Sequence, residues 1–151
     1  MLVDKPETTP EWDAIIVGGG PGGLSAALWL GRCRRRLLLV DAGGGRNAVA
    51  HGIHGLLTRD GLTPEELRRL GRQELEPYGV EYRSSTVTAA RRSTRGFEVT
   101  LETGELLASR ALVLATGVRD RLPRIDGFEA FYGATVHHCP YCDGWEHRDQ
   151  K

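Results

Sequence analysis

The hydrophobic pattern near the start of the chain predicts a strand, a turn and a helix. DAIIVG at 13–18 is a short apolar run with β-branched residues, and glycines follow it. LSAALWLGRC at 24–33 then has its apolar residues at helical spacing, and RLLLVD at 36–41 is a second apolar run. Two buried strands joined by a helix are typical of a βαβ unit with a right-handed crossover.

A second helix is predicted after a long loop. Residues 42–62 have no sustained period, and a loop of this length is usually functional. Thr63 has the position of a helix cap, Pro64 that of the first helical residue, and Glu66 that of a capping-box partner. We expect this helix to run to about Tyr78.

Short strands follow the second helix. VEYRS at 80–84 predicts one, and three antiparallel strands are then expected in TVTAARRS (86–93), GFEVTLET (96–103) and ELLASR (105–110). ALVLATG at 111–117 is apolar and returns to a buried strand. The pattern therefore predicts an α/β fold, in which a Rossmann-like sheet carries an inserted three-stranded antiparallel β-meander. After Gly117 the pattern predicts a connection that leaves this sheet.

Composition and charge narrow the class of protein. The 151 residues include 20 basic and 20 acidic ones, which are interspersed apart from the run RCRRR at 32–36. Neither a nucleic acid nor a membrane surface is therefore expected as a partner, and RCRRR is interpreted as a solvated helix end. Three cysteines, and no apolar stretch of about 18 residues, lead us to expect a cytoplasmic protein.

Gly18, Gly20 and Gly23 form G-x-G-x-x-G between a predicted strand and a predicted helix. Such glycines permit a tight turn, the approach of a pyrophosphate, and close packing of helix on strand. Asp41 ends the next strand and can accept hydrogen bonds from both ribose hydroxyls of an adenosine. An ordinary glycine-rich turn is the alternative. The motif alone does not separate FAD from NAD, but the inserted meander favours a flavin domain.

Cys139 and Cys142 form a C-x-x-C pair near the end of the chain. This spacing favours an exchangeable disulfide, and the adjacent Asp143 can deliver a proton to a leaving thiolate. Zinc is an alternative, with ligands drawn from the pair and from His137, His138 and His147; inert buried thiols are another. Because all five zinc candidates fall within eleven positions, whereas structural zinc sites use two separated knuckles, we expect no metal. Cys33, among apolar residues, is expected to be a core residue.

Three ordered motifs carry a family resemblance: DAIIVGGGPGGLSAALWLGR, ALVLATGVR and CPYCDG. They resemble the low-molecular-weight thioredoxin reductases and their relatives among the two-dinucleotide-binding flavoproteins. The resemblance implies that FAD is held by three segments of the chain. These segments contain Gly18, Gly20, Pro21, Gly22, Gly23 and Asp41, then Arg46 and Asn47, and then Ala115, Thr116 and Gly117.

The resemblance also implies an activity. An NAD(P)H-dependent disulfide reductase of this kind passes hydride from NADPH to FAD, and electrons from FAD to a Cys139–Cys142 disulfide. The resulting dithiol reduces a thioredoxin-like protein or a small disulfide substrate. Cys142 would face the flavin, Cys139 would exchange with the substrate, and Asp143 would act as the acid. A homodimer is implied for the full-length family.

The chain departs from that family after its cysteine pair. No second G-x-G-x-x-[GA] motif follows, and no returning flavin segment. We therefore expect a flexible tail at 1–11, the N-terminal part of an FAD-binding domain at 12–117, and a connection with the truncated start of an NADPH-binding domain at 118–151. Such a chain is expected to be inactive alone. A nucleotide-binding module with a structural or zinc-bound cysteine pair, and one chain of a split flavoprotein, are the alternatives.

Overall fold

The computed structural model describes residues 10–149, which contain one six-stranded sheet. Its strands are β1 (Trp12–Val17), β2 (Leu37–Asp41), β3 (Glu81–Ser84), β4 (Val87–Ser93), β5 (Gly96–Leu101) and β6 (Leu106–Leu114). They lie in the order β3-β2-β1-β6-β5-β4. The helices are α1 (Pro21–Arg32), α2 (Pro64–Leu75), α3 (Phe128–Phe131) and α4 (Pro140–Asp143). The predicted α/β class with its antiparallel meander is confirmed.

The chain divides into two compact units. The first contains the residues up to 43 and Gly71–Thr116, and therefore the whole sheet with α1. The second contains Gly44–Leu70 and the residues from 117 onward, with a short 3₁₀ helix at Arg46–Val49, α3 and α4. Across residues 10–149, no helix has the length and apolar character needed to cross a bilayer.

The core of the first unit lies on both faces of the central strands. β1 pairs in parallel with β2 on one side and with β6 on the other, so all three strands have an apolar character. Successive side chains of a strand point to opposite faces. Ile15 and Leu38 accordingly belong to one buried cluster, whereas Ile16 and Leu39 pack with Leu24 of α1 in the other.

The last predicted meander strand and the returning strand are one strand, β6. Its first half pairs antiparallel with β5, from Thr100↔Leu106 to Phe97↔Ser109, and its second half pairs parallel with β1, up to Val17↔Leu114. The predicted break after residue 110 was wrong. No glycine or proline stands at this point, so the strand continues while its neighbours change.

The second helix differs from its prediction at both ends. The backbone N–H of Glu66 donates to Thr63 Oγ1 over 3.1 Å, which confirms Thr63 as the cap. The carboxylate of Glu66, however, accepts two hydrogen bonds from Arg69 at 2.7 and 2.8 Å, and not the reciprocal bond of a capping box. Since Pro77 has no N–H to donate, α2 ends at Leu75 and a 3₁₀ turn, Glu76–Tyr78, completes the segment.

Two expectations about the start of the chain have different outcomes. The predicted tail, 1–11, lies outside the described residues except for Pro10 and Glu11; the N–H of Glu11 donates to the carbonyl of Ala108 over 3.0 Å. Cys33 is exposed and not a core residue. It is the C-cap of α1, and its N–H donates to the carbonyl of Trp29. The side chain at this helix end is exposed to solvent.

Candidate functional site

The turn between β1 and α1 is fixed by two of its glycines. Gly18 has φ of +107°, and its N–H donates to the carbonyl of Val40 over 2.8 Å. A Cβ on Gly18 would overlap the carbonyl of Ala115, and a Cβ on Gly23 would overlap that of Gly18. Only glycine therefore allows β1, β6 and the start of α1 to approach this closely.

Two other glycines of this turn, Gly20 and Gly22, face open space. A Cβ on either would meet no atom of residues 10–149 within 4 Å. Gly20 is the N-cap of α1, Pro21 is in its first turn, and the first turn holds no acidic residue. The free N–H groups and the positive end of a 12-residue helix therefore border an unfilled surface. This arrangement fits a pyrophosphate.

Asp41 lies at the carboxyl end of β2, beside the same turn. Its side chain is only 8% exposed, and within residues 10–149 no donor reaches its carboxylate. A Cβ placed on Gly19 would lie 2.6 Å from Asp41 Cγ, so the carboxylate borders the glycine turn directly. Both oxygens of this carboxylate are therefore free to accept hydrogen bonds, and two ribose hydroxyls would supply the donors.

The segment after β6 reaches the same edge of the sheet. The N–H of Ala115 donates to the carbonyl of Val17 over 2.8 Å, which continues the parallel pairing with β1. Thr116 follows in the first unit, and Gly117 has φ of +69°. Gly18, Asp41 and Ala115 thus stand at the carboxyl ends of three neighbouring parallel strands, the position at which open α/β sheets bind ligands.

In the second unit, Arg46 and Asn47 belong to the 3₁₀ helix that begins at Arg46. Arg46 Nε donates to Asp120 Oδ2 over 2.8 Å, and the hydroxyl of Tyr132 donates to the same oxygen. The Arg46 guanidinium, and then the Tyr132 hydroxyl, lower the pKa of Asp120 to about 2. The same bond to Asp120 raises the pKa of Tyr132. Asn47 accepts the N–H of Ala50 through its backbone carbonyl.

Cys139 and Cys142 form a disulfide, with their Cα atoms 5.3 Å apart. Cys139 is the N-cap of α4 and Pro140 occupies the first turn, so this short helix holds the two sulfurs on one loop. The carbonyl of Cys139 accepts the N–H groups of Cys142 and Asp143 over 3.2 and 3.3 Å. Cys142 is exposed, whereas Cys139 is half-buried.

Imidazole and carboxylate groups surround this loop. Asp143 Oδ2 lies 3.8 Å from His137 Nδ1, and the rings of His137 and His147 are 4.4 Å apart. The ring of His138 lies 5.9 Å from that of Tyr132. Among residues 10–149, no cluster of three histidine, cysteine or acidic side chains has the geometry of a metal site. The disulfide form also offers no thiolate ligand.

Sequence reasoning missed two of these residues. Asp120 lies 74 positions from Arg46 in the chain, and Tyr132, which donates to the same oxygen of Asp120, lies still farther away. Neither of them carries a local pattern that marks a site. Arg46 could be anticipated only through the family resemblance, and its bond to Asp120 could not be anticipated at all.

Known proteins share both the sequence and the fold. The Pyridine nucleotide-disulphide oxidoreductase family matches residues 12–151. The chain is 40% identical to a probable thioredoxin reductase of Arthroderma benhamiae, over 99% of this chain and 39% of the relative.

Two solved structures extend this similarity. A putative thioredoxin reductase TrxB from Bacillus anthracis is 38% identical, with a TM-score of 0.88 over 91% of this chain and 47% of that one. An oxidoreductase from Agrobacterium tumefaciens is 44% identical, with a TM-score of 0.85 over 89% of this chain and 46% of that one. The chain spans less than half the length of each of these relatives. It belongs to the pyridine nucleotide-disulphide oxidoreductase family.

Proposed function

We propose that the chain binds FAD in its first unit and carries a redox-active disulfide in its second. The observation that carries this proposal is the Cys139–Cys142 disulfide on a C-x-x-C loop, in a chain of this family. The open turn at Gly20 and Gly22 and the unpartnered Asp41 carboxylate support the nucleotide half. We assign residues 12–117 to the N-terminal part of the FAD-binding domain and 118–151 to the connection and the start of an NADPH-binding domain.

Each cofactor segment has a proposed task. The N–H groups at the start of α1 would bind the pyrophosphate across Gly18, Gly20, Pro21, Gly22 and Gly23. Asp41 would accept the ribose hydroxyls. The segments that contain Arg46 and Asn47, and Ala115, Thr116 and Gly117, would border the rest of the flavin.

The disulfide has a balanced reaction. Two electrons and two protons convert it into two thiols, and FAD in its reduced form would supply the electrons. Asp143 would donate a proton to the thiolate that leaves when the S–S bond breaks, or to the reduced flavin. Cys139, as thiolate, would then attack a partner disulfide, which releases one partner thiolate and forms a mixed disulfide with the other partner sulfur. Cys142, as thiolate, would attack Cys139 Sγ and displace that second partner thiolate. The partner departs as a dithiol and the S–S bond forms again.

The donor and the partner are proposed from the relatives. Several of them are named thioredoxin reductases. We propose NADPH as the hydride donor, a thioredoxin-like protein or a small disulfide as the acceptor, a cytoplasmic location, and a homodimer. The matched part of this chain covers less than half of each relative, so the complete cycle is tested by its separate steps.

The first step to test is flavin binding by the purified chain. We expect FAD to bind more tightly than NAD, and Gly20→Val to abolish binding, because its side chain would fill the approach of the pyrophosphate. Gly20 has φ of −76°, which valine adopts without strain, and a Cβ there meets nothing, so the variant should fold. Equal FAD binding by both proteins would remove the nucleotide assignment.

The second step is electron transfer within the chain. After addition of FAD under anaerobic conditions, a dithiol such as dithiothreitol should reduce the disulfide, and the new Cys139–Cys142 dithiol should bleach the flavin absorbance. Cys142→Ser should prevent the bleaching without loss of FAD binding. Bleaching at the same rate in the variant would show that the disulfide takes no part. Stoichiometric zinc released only by a chelator would instead support the structural cysteine module.

A further inference from the structure

The segment RCRRR lies at the end of the first unit's sheet opposite the glycine turn. It connects the C-terminus of α1 to the start of β2, whereas Gly18 follows the carboxyl end of β1. A five-residue strand such as β2 spans roughly 17 Å, so the two places are well separated. Any ligand of the arginine segment would therefore be independent of one at the glycine turn.

The arginines line a concave surface with a volume of about 440 Å³. Its lining consists of Gly31, Arg32, Arg34, Arg35, Arg36, Pro77, Tyr78 and Gly79. Four arginines therefore border one concavity, and among the described residues that line it none is acidic. Two acidic groups contact Arg36: Glu11 pairs with its guanidinium, and Asp13 accepts its backbone N–H.

Two of these arginines are held in place by aromatic side chains. Arg32 Nη1 donates to the Tyr78 hydroxyl over 2.8 Å, and its guanidinium lies 5.6 Å from the centre of that ring. The guanidinium of Arg36 lies 4.6 Å from the centre of the Trp12 ring, and Nη2 pairs with Glu11 at 3.0 Å. Such contacts reduce the entropy lost when a ligand binds.

The other two arginines have no such partner. Within residues 10–149, neither Arg34 nor Arg35 makes a side-chain hydrogen bond or ion pair. The negative end of the α1 dipole accounts for a cation in the last turn, which is Arg32. Since the dipole's effect is limited to that last turn, it does not account for the remaining arginines.

Arg34 also occupies a position where glycine would be expected. Its N–H bonds the carbonyl of Gly31 over 2.8 Å, and the N–H of Arg35 bonds that of Leu30 over 3.2 Å, which is a Schellman motif that ends α1. Arg34 is the residue of that motif with left-handed backbone, at φ of +58°. Glycine adopts this conformation without strain and arginine does not. Arg34 therefore stands at a position whose backbone conformation disfavours it, and it borders the concavity.

We propose that this concavity, the arginine site, binds a small polyphosphate anion. Planar guanidinium groups match phosphate oxygens in bidentate geometry, and several of them around one concavity suit a chain of adjacent phosphates. The polyphosphate can be free or can belong to a nucleotide. This site is distinct from the proposed FAD site.

The test uses tripolyphosphate and calorimetric titration at an ionic strength of about 0.15 M, where weak surface attraction is screened. Arg34→Gly and Arg35→Gln should each weaken binding by about threefold or more, and together by about tenfold. Arg92→Gln, an exposed arginine on β4, is the matched control and should bind as the unmodified chain does. Arg34→Gly should also raise the thermal unfolding midpoint, because it relieves the left-handed backbone.

Binding of tripolyphosphate to the Gly20→Val variant, and binding of other anions, test the proposal further. Binding that survives in Gly20→Val separates the arginine site from the glycine turn, whereas its loss there overturns the proposal and leaves the FAD assignment standing. In that same variant, tighter binding of a nucleoside triphosphate than of tripolyphosphate identifies the ligand as a nucleotide, and equal binding identifies the phosphate chain. Absence of tripolyphosphate binding, equal weakening by Arg92→Gln, or equal binding of oligoglutamate would overturn the proposal.

Discussion

Replacement of Asp41 by asparagine should have opposite effects on FAD affinity and on the stability of the free chain. Asp41 is 8% exposed as a residue and its carboxylate receives no hydrogen bond from any residue between 10 and 149, so in the free chain no protein group stabilises its charge. Asparagine has nearly the same shape without the charge. The free energy of unfolding of the ligand-free variant should therefore equal or exceed that of the unmodified chain.

The affinity should change in the other direction. Loss of charge-assisted hydrogen bonds to the ribose should weaken FAD binding by about 1–3 kcal/mol. At an FAD concentration of about 100 times the dissociation constant, the ligand stabilises the unmodified chain by about 2.7 kcal/mol. For a loss of about 2 kcal/mol, the same concentration stabilises the variant by only about 0.9 kcal/mol.

The assay is chemical unfolding with and without FAD, together with a direct titration of FAD. Asp126→Asn changes an exposed aspartate and should alter neither quantity. An unchanged dissociation constant in Asp41→Asn would place the ribose elsewhere. A clear loss of stability in the ligand-free variant would show that the carboxylate has a structural task, and would refute the reasoning from its missing partner.

Three further predictions concern packing, the cysteines and acid stability. In urea unfolding, Gly23→Ala should destabilise the chain by about 1–3 kcal/mol, because the new methyl group overlaps the carbonyl of Gly18. Gly22→Ala should instead stabilise it by about 0.4–1 kcal/mol, because its methyl group meets no atom of residues 10–149. Equal effects of the two substitutions would contradict the packing. Of the three cysteines only exposed Cys33 is free, so thiol titration should find one thiol before reduction and three after it; three beforehand would contradict the disulfide. Asp120 has a pKa of about 2 against an ordinary 3.8, so its contribution to stability is complete above about pH 4 and is lost as the pH falls towards 2. The unfolding midpoint of Asp120→Asn should therefore fall less over this pH range than that of the unmodified chain. An equal fall in both proteins would contradict the role of Asp120.

The parallel part of the sheet could be predicted because its signals are local. DAIIVG and RLLLVD are apolar on both faces, and such runs have few alternatives to buried strands. The prediction divided β6 into two strands, which was wrong. The strand changes its neighbour from β5 to β1 midway, and this change leaves no pattern in the sequence of β6 itself. Cys33 was placed in the core on the character of its neighbours, while its exposure depends on where α1 ends.

The candidate site divides in the same way. Gly18 and Asp41 could be expected at one edge of the sheet because the motif places specific residue types at specific spacings after two neighbouring strands. The bond between Arg46 and Asp120 joins positions 74 apart, and neither residue belongs to a pattern that requires the other. Such contacts depend on the packing of the second unit, which the sequence does not mark locally.

The glycines of the turn separate two requirements that the motif combines. Gly18 and Gly23 face backbone atoms that a side chain would overlap, so they would be needed even if no ligand ever bound. Gly20 and Gly22 face no atom of residues 10–149, and the packing of these residues does not explain why both lack a side chain. Gly22 lies within α1, where glycine is less favourable than alanine by roughly 1 kcal/mol. The packing of residues 10–149 leaves this cost unexplained, whereas a pyrophosphate at the N-terminal end of α1, as we propose, would require that the space beside Gly20 and Gly22 stay empty.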